Sequence, residues 1–117
     1  MNPEFEIESV PASAETTVLR VRGRLDARGA PVLTARCAEV RDSGQHLVLN
    51  LSRVTFVASS GIGALLAVVE EFSSSRSAVR LAAVSPAMHS VITLLNLDQF
   101  LCIDATEDES TAALRAA

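Results

Sequence analysis

LVLNLSRVTFVASSGIGALLAVVEEF, residues Leu47 to Phe72, is the stretch whose reading decides the fold. Its first part, Leu47-Val48-Leu49-Asn50-Leu51, is too short for a helix and too continuously apolar for a strand with one wet face. It therefore reads as a central β-strand covered on both sides. After a short bend, Ser59-Ser60-Gly61 opens a second pattern in which Ile62, Leu65, Leu66, Val69 and Phe72 recur at helical spacing and form one apolar stripe. Strand, bend and helix together place two hydroxyls at a helix N-terminus. The free N–H groups and partial positive charge at that end favour a serine oxygen as a cap, and favour a phosphate more strongly.

Outward from this unit, elements of both kinds follow. Upstream, Phe5 to Val10 alternates with Phe5 and Ile7 on one face and Glu4, Glu6 and Glu8 on the other, and Val18 to Arg22 does the same with Arg20 and Arg22 outward. An antiparallel pairing would line glutamates against arginines on a solvated face. Gly23 to Gly29 reads as a turn, and Pro31 suits the first position of a helix whose inward face carries Leu33, Cys37 and Val40 and which ends at Arg41 to Gly44. Downstream, Ser73 to Ser77 is a polar break and Val79 to Ala83 a short strand. Ser85-Pro86 is an N-cap with a first-turn proline, and Met88, Val91, Ile92 and Leu95 give the next helix its apolar side. Leu101 to Ile103 is a last strand, and Thr106 to Ala116 a helix with acids in its first turn.

The resulting order is β-β-α-β-α-β-α-β-α, an α/β chain. Right-handed crossovers give parallel pairing after the first antiparallel pair. The expectation is a single domain over residues 1–117, with a small mixed sheet of about four to five strands and about four helices packed mainly on one face.

Composition bounds the function. Net charge is −4, every basic residue is arginine, and the arginines are scattered from Arg20 to Arg115 without a basic run, which argues against nucleic acid as a partner. No stretch of about twenty apolar residues could enter a bilayer, and the acidic N-terminus is unlike a signal peptide, so a cytoplasmic location is expected. Hydrophobic residues make up 49% of the chain but only four are aromatic, so Ala, Val, Leu and Ile must build the core. Cys37 on a helix face and Cys102 in a strand read as buried free thiols, and His46 and His89 have no ligand-type neighbours. No metal or cofactor is implied.

Ala58-Ser59-Ser60-Gly61-Ile62-Gly63 resembles the signature of the STAS domain of bacterial anti-sigma factor antagonists, Asp-Ser-Ser/Thr-Gly-Leu-Gly between a strand and a helix. Gly23-Arg24-Leu25-Asp26 is similar to that family's Gly-x-Leu-Asp, and Leu95-Asn96-Leu97-Asp98 with Phe100 to its Leu-x-Leu-Asp-x-x-Phe region. The likeness spans about Phe5 to Leu114. It implies that Ser59 is the phosphorylated serine. One departure stands out: the family's aspartate before that serine is Ala58 here.

Each feature also has a plainer reading. Ser59 and Ser60 would serve as helix caps in a generic protein, and Asp26 could fix a turn through its side chain. The resemblance instead makes Ser59 the modified residue and sets Asp26 on the surface beside it. Both readings of Asp26 stay open. Gly61 and Gly63 lack the lysine and the longer glycine spacing of a phosphate loop, and read as permitting close packing at the helix start. No nucleophile with its base, carboxylate pair or metal cluster is visible, so an enzyme is not expected. The resemblance implies a binding module that sequesters an anti-sigma factor with serine kinase activity through Asp26, Ser59, Ser60, Gly61 and Ile62, and is switched off by phosphorylation at Ser59. It would act as a monomer or weak dimer. The alternatives are a non-phosphorylated STAS adaptor subunit of a transporter or signalling assembly, which Ala58 favours, and an enzyme or small-ligand sensor using a pocket near Asp26 and Ser59, which nothing positive in the sequence supports.

Overall fold

Five strands lie side by side in their order along the chain: β1 (Phe5–Pro11), β2 (Thr16–Leu25), β3 (His46–Val57), β4 (Val79–Ala82) and β5 (Ile103–Asp104). The structure, a computed structural model, describes residues 4–115. The expected helix end at Ala116 and residues 1–3 of the expected domain lie outside the described residues. β1 pairs antiparallel with β2, and every later pairing is parallel. The parallel strands are joined by α1 (Gly29–Asp42), α2 (Ser59–Ser73) and α3 (Pro86–Leu94), the last followed by a 3-10 turn at Leu97–Gln99. Three successive right-handed crossovers that all advance across the sheet in one direction put their helices on the same face. α4 (Glu107–Arg115) leaves the edge strand and folds back over the opposite face, where Leu114 packs on Val18, Val48 and Ala82.

Side-chain alternation explains the two layers. Leu19, Val21 and Leu25 of β2, Leu47, Leu49, Leu51 and Val54 of β3 and Leu81 of β4 form the inner face. Against it pack Leu33, Cys37 and Val40 of α1, Ile62, Leu65, Val68 and Phe72 of α2, and Met88 and Ile92 of α3. Each such side chain taken fully from water contributes about 1.5–3 kcal/mol. The outer face of β1 and β2 carries the expected charge pairs, Arg22 with Glu6 and Arg20 with Glu8, across the antiparallel register.

Several boundaries differ from the sequence reading. β3 does not stop at Leu51 but continues to Val57, and β2 runs through Gly23 to Leu25, where a turn was expected. Two irregularities in the β2–β3 ladder are the cause. Between Arg20↔Asn50 and Arg22↔Arg53, β3 advances three residues for two of β2, and between Gly23↔Val54 and Arg24↔Phe56 it advances two for one. The extra residues break the alternation that a strand presents in sequence. Gly23 accommodates the chain with φ +104°, where a Cβ would lie 1.9 Å from the Glu4 carbonyl oxygen.

On α2 the buried stripe is centred on Leu65 and Val68, with Leu66 and Val69 only partly covered. Pro31 is the third residue of α1 rather than the first. Leu95 follows α3 and is 51% exposed instead of facing the core. β4 ends at Ala82 because Ala83 takes a left-handed conformation, φ +53°. Leu101 precedes the last strand, which is Ile103–Asp104, and Cys102 is exposed rather than buried. Cys37 is buried as expected, and burial pushes its thiol pKa up to about 12.

Candidate functional site

Leu25 organises the site. Its carbonyl oxygen accepts from the Ala58 N–H at 3.0 Å, joining the end of β2 to the residue that leads into α2. A Cβ on Gly61 would sit 2.3 Å from that same oxygen and 2.7 Å from Leu25 Cγ. Only a residue without a side chain allows the first turn of α2 to close this tightly on β2. Gly63, by contrast, faces open space, so the expected packing role belongs to Gly61 alone.

Ala58 is the N-cap of α2, with extended geometry at φ −96° and ψ 167°. Its carbonyl oxygen accepts from the N–H groups of Gly61 at 3.0 Å and Ile62 at 3.1 Å. Ser59 and Ser60 are thus the first two residues inside the helix. The expectation that a serine oxygen caps α2 is not met, because a hydroxyl at these positions lies past the cap. Both side chains are exposed, and neither hydroxyl has a hydrogen-bond partner among the described residues. Gly61 is buried and Ile62 only 7% exposed, so these two support the serines from beneath.

The other three helices are served differently. Ser85 Oγ accepts from Met88 N at the start of α3, and Thr106 Oγ1 from Glu109 N at the start of α4. At α1, Asp26 Oδ1 accepts from Arg28 N at 3.0 Å and Gly29 N at 3.2 Å. These N–H bonds from Gly29 and Arg28 hold the Asp26 carboxyl below the usual aspartate value, with a further contribution from Arg24, whose Nε lies 3.7 Å from Oδ2. Asp26 therefore does fix the turn into α1. Because Leu25↔Val57 are partners in the sheet, Asp26 and Ala58 emerge side by side from the same edge, which brings Asp26 and the serine pair to one end of the molecule. α2 alone has no side chain on its first amides and no acid in its first turn.

One contact of this corner was not foreseen. The Arg24 guanidinium lies over the Phe56 ring, 4.2 Å from its centroid. The two are register partners on the outer face. Extending β3 past the irregularities is the only way to find that pairing, and the broken alternation hides it. His46 also has a role missed in the sequence, its Nδ1 accepting from Ala78 N at 3.0 Å.

A shallow groove of about 780 Å³ lies on the outer face, with Arg20, Arg22, Asn50 and Glu107 among its lining residues, and reaches the corner at Arg53, two steps along the ladder from Arg24 and Phe56. Its charges are largely engaged: Glu107 pairs with Arg20 at 2.9 Å and accepts from Asn50. Neither this groove nor the smaller one lined by Thr17, Arg36 and Gln45 is lined by Asp26 or Ser59. No group of three or more His, Cys, Asp or Glu among them could hold a metal ion, and no helix is long and apolar enough to cross a membrane.

A family model described as Mlab, STAS domain, matches residues 8–103. The chain belongs to the STAS domain family. An anti-sigma F factor antagonist of Lysinibacillus sphaericus is 28% identical over 113 residues, 95% of this chain and 94% of that protein. The crystal structure of an anti-sigma factor antagonist from Mycobacterium paratuberculosis superimposes with a TM-score of 0.81 at 28% identity, covering 97% of each chain. The phosphorylated form of the Bacillus cell fate determinant SpoIIAA gives 0.71 at 25% identity, covering 92% of this STAS chain and 98% of that one.

Proposed function

We propose that this STAS protein is an anti-sigma factor antagonist, a cytoplasmic binding module that docks an anti-sigma factor with serine kinase activity and so frees a sigma factor. The single observation that carries the reading is Ser59, whose exposed hydroxyl, without a partner among the described residues, stands in the first turn of a helix that none of their side chains caps. A phosphate there meets free N–H groups and the positive end of the helix, while adding about −1.5 to −2 charges to the surface that a partner must cover. Asp26, Ser59 and Ser60 supply that surface, and Gly61 and Ile62 hold it in shape. Phosphorylation releases the partner, and its removal restores docking.

Ala58 tunes the switch. An aspartate at this N-cap position would take the α2 amides for itself and place a negative charge beside the phosphate. Alanine leaves those amides to the phosphate, but it also removes a group with which the kinase could orient the hydroxyl. A misplacement of about 1 Å can cost about a hundredfold in rate. Phosphorylation of Ser59 is therefore expected to proceed slowly, and Ala58→Asp to accelerate it.

The test is intact-mass spectrometry after incubation with the cognate anti-sigma kinase and ATP, on wild type, Ala58→Asp and Ser59→Ala. The expected result is one phosphate on wild type, faster addition on Ala58→Asp, and none on Ser59→Ala, which still binds. A phosphate on Ser59→Ala refutes the site. Wild type that binds but stays unmodified while Ala58→Asp reacts assigns the protein to the constitutive, non-phosphorylated class that Ala58 alone would favour.

A further inference from the structure

We propose that the stacked pair Arg24 and Phe56 anchors the docking surface, and that the segment of the anti-sigma factor it receives is acidic, with a carboxylate seated on the Arg24 guanidinium. This rests on the reading that the end of the sheet around Ser59 is where the partner docks.

Four observations carry it. Arg24 and Phe56 lie one step along the β2–β3 ladder from Leu25 and Val57, the pair from which Asp26 and the α2 N-terminus emerge, so the stacked pair continues the surface that bears Ser59. Phe56 is 41% exposed, an aromatic ring left at the surface of a chain that has only four. Its face is covered by the Arg24 guanidinium at 4.2 Å, and Asp26 Oδ2 lies 3.7 Å from the Nε of that group, an ion pair longer than a hydrogen bond. The ring backs the plane of the guanidinium, and none of its N–H donors has a hydrogen-bond acceptor among the described residues. A fork of donors held in one plane is suited to a carboxylate, and less ordering entropy is lost on binding when the fork is already in place. An arginine stacked on an exposed aromatic is also the kind of residue pair in which binding energy concentrates.

The charge of the corner points the same way. Arg28 and Arg53 are exposed and have no side-chain partner among the described residues, and Arg53 is the register partner of Arg22 on the same outer face. With Arg24 they make three arginines against the two acids of the corner, Glu4 and Asp26, in a chain whose net charge is −4. A locally cationic corner on an anionic protein steers and orients a partner that is negative at the matching place.

The experiment measures dissociation constants for the purified cognate serine-kinase anti-sigma factor, without ATP, at about 50 and about 300 mM NaCl, a range over which exposed charge pairs are progressively screened. Wild type is compared with Arg24→Ala, Phe56→Ala, the double variant, and the milder Arg24→Lys and Phe56→Leu, with urea midpoints recorded for each. The expected outcome is a loss of about tenfold or more for each alanine variant, as for interface anchors generally. The double variant should lose less than the product of the two, because removing the ring already frees the guanidinium. Salt should weaken wild type clearly more than Arg24→Ala. Arg24→Lys, which keeps the charge but not the fork, should fall between. If either alanine variant unfolds, the same ordering is read from Lys and Leu. Wild type that binds while all folded variants stay within twofold of it, or binding that salt does not weaken, overturns this inference alone. Wild type that does not bind the kinase overturns the proposed function and this inference with it.

Discussion

Gly61 and Gly63 are two residues apart in the same helix, and the structure assigns opposite signs to replacing them by alanine. In an exposed helix interior the substitution stabilises by about 0.5–1 kcal/mol, because alanine has less backbone freedom to lose. Gly63→Ala should deliver that full gain, since nothing lies within 4 Å of where its Cβ would be. At Gly61 the added methyl would lie 2.3 Å from the Leu25 carbonyl oxygen and 3.0 Å from its carbonyl carbon, main-chain atoms that no rotamer change can move. Relief requires α2 to shift off β2, straining the 3.0 Å bond between Ala58 N–H and the same oxygen. Overpacking of this kind costs about 1–3 kcal/mol, so after the propensity gain the net loss is about 1–2 kcal/mol. The two variants should differ by about 1.5–3 kcal/mol, or about 5–15 °C in Tm for a chain of this size. Urea and thermal unfolding of both measure this directly. Gly61→Ala should also bind the anti-sigma factor more weakly at temperatures where it remains folded, because the shift carries Ser59 with it. A Gly61→Ala protein as stable as Gly63→Ala would refute the close contact between β2 and α2 on which the site geometry depends.

Leu65→Ala should cost about 2–5 kcal/mol and Leu66→Ala less than about 2, since only the former is fully buried; equal losses in urea unfolding would mean that α2 is rotated from the orientation described. Asp104 bridges Arg80 at 2.7 Å and Ser110 at 2.6 Å, and these bonds, Arg80 first, hold its carboxyl below the usual 3.8. A depressed folded value contributes stability that is present above the ordinary value and lost as pH falls through the depressed one. Wild type should therefore lose stability below about pH 4, and Asp104→Asn should start about 1.5–3 kcal/mol lower at neutral pH with a shallower acid slope. Iodoacetamide should place a single adduct on the native protein, at exposed Cys102, and a second, on Cys37, only in denaturant, as intact mass would reveal.

The architecture was legible because the apolar patterns are simple. Leu47 to Leu51 and the helical stripe of α2 follow regular periods, and a βαβ order leaves little topological choice. One class of hidden feature has its physical origin in the irregular ladder between β2 and β3. The first extra residue in β3 reverses which side chains face inward, so Val54 reaches the core, and the second restores the earlier sense, so Phe56 faces outward as Val48 and Asn50 do but two residues out of the original register. The pairing of Arg24 with Phe56 exists only in that shifted register. A second class of miss concerns the ends of elements. Leu95, Cys102 and Gly63 all continue a pattern whose neighbours are buried, but each lies where the core no longer reaches, and periodicity carries no information about where a layer stops.

The N-terminus of α2 departs from helix-building rules at nearly every position, and those departures fall together where the proposed function needs them. An alanine occupies the cap, no acid complements the dipole, a glycine stands third in the helix and another fifth, and two serines expose hydroxyls with no partner among the described residues. Measured against a capped, alanine-rich start, this turn forgoes about 0.5–2 kcal/mol at the cap and about 1 kcal/mol at each glycine. The core beneath it is closed by Ile62, Leu65 and Val68, so the fold tolerates the loss. Local rules that fail in a cluster, on elements that the rest of the molecule holds rigid, are expected where a chain is shaped for binding or modification and not for stability alone. Here the consequence is specific. Any anion that arrives at Ser59 meets amides already in place and unoccupied by a side chain, so the modified state needs no rearrangement of the helix to be accommodated. In the function proposed for the protein, the partner is then released by charge and bulk at an otherwise unchanged surface, and the proposed switch depends on what the partner presents to that surface more than on any movement within this domain.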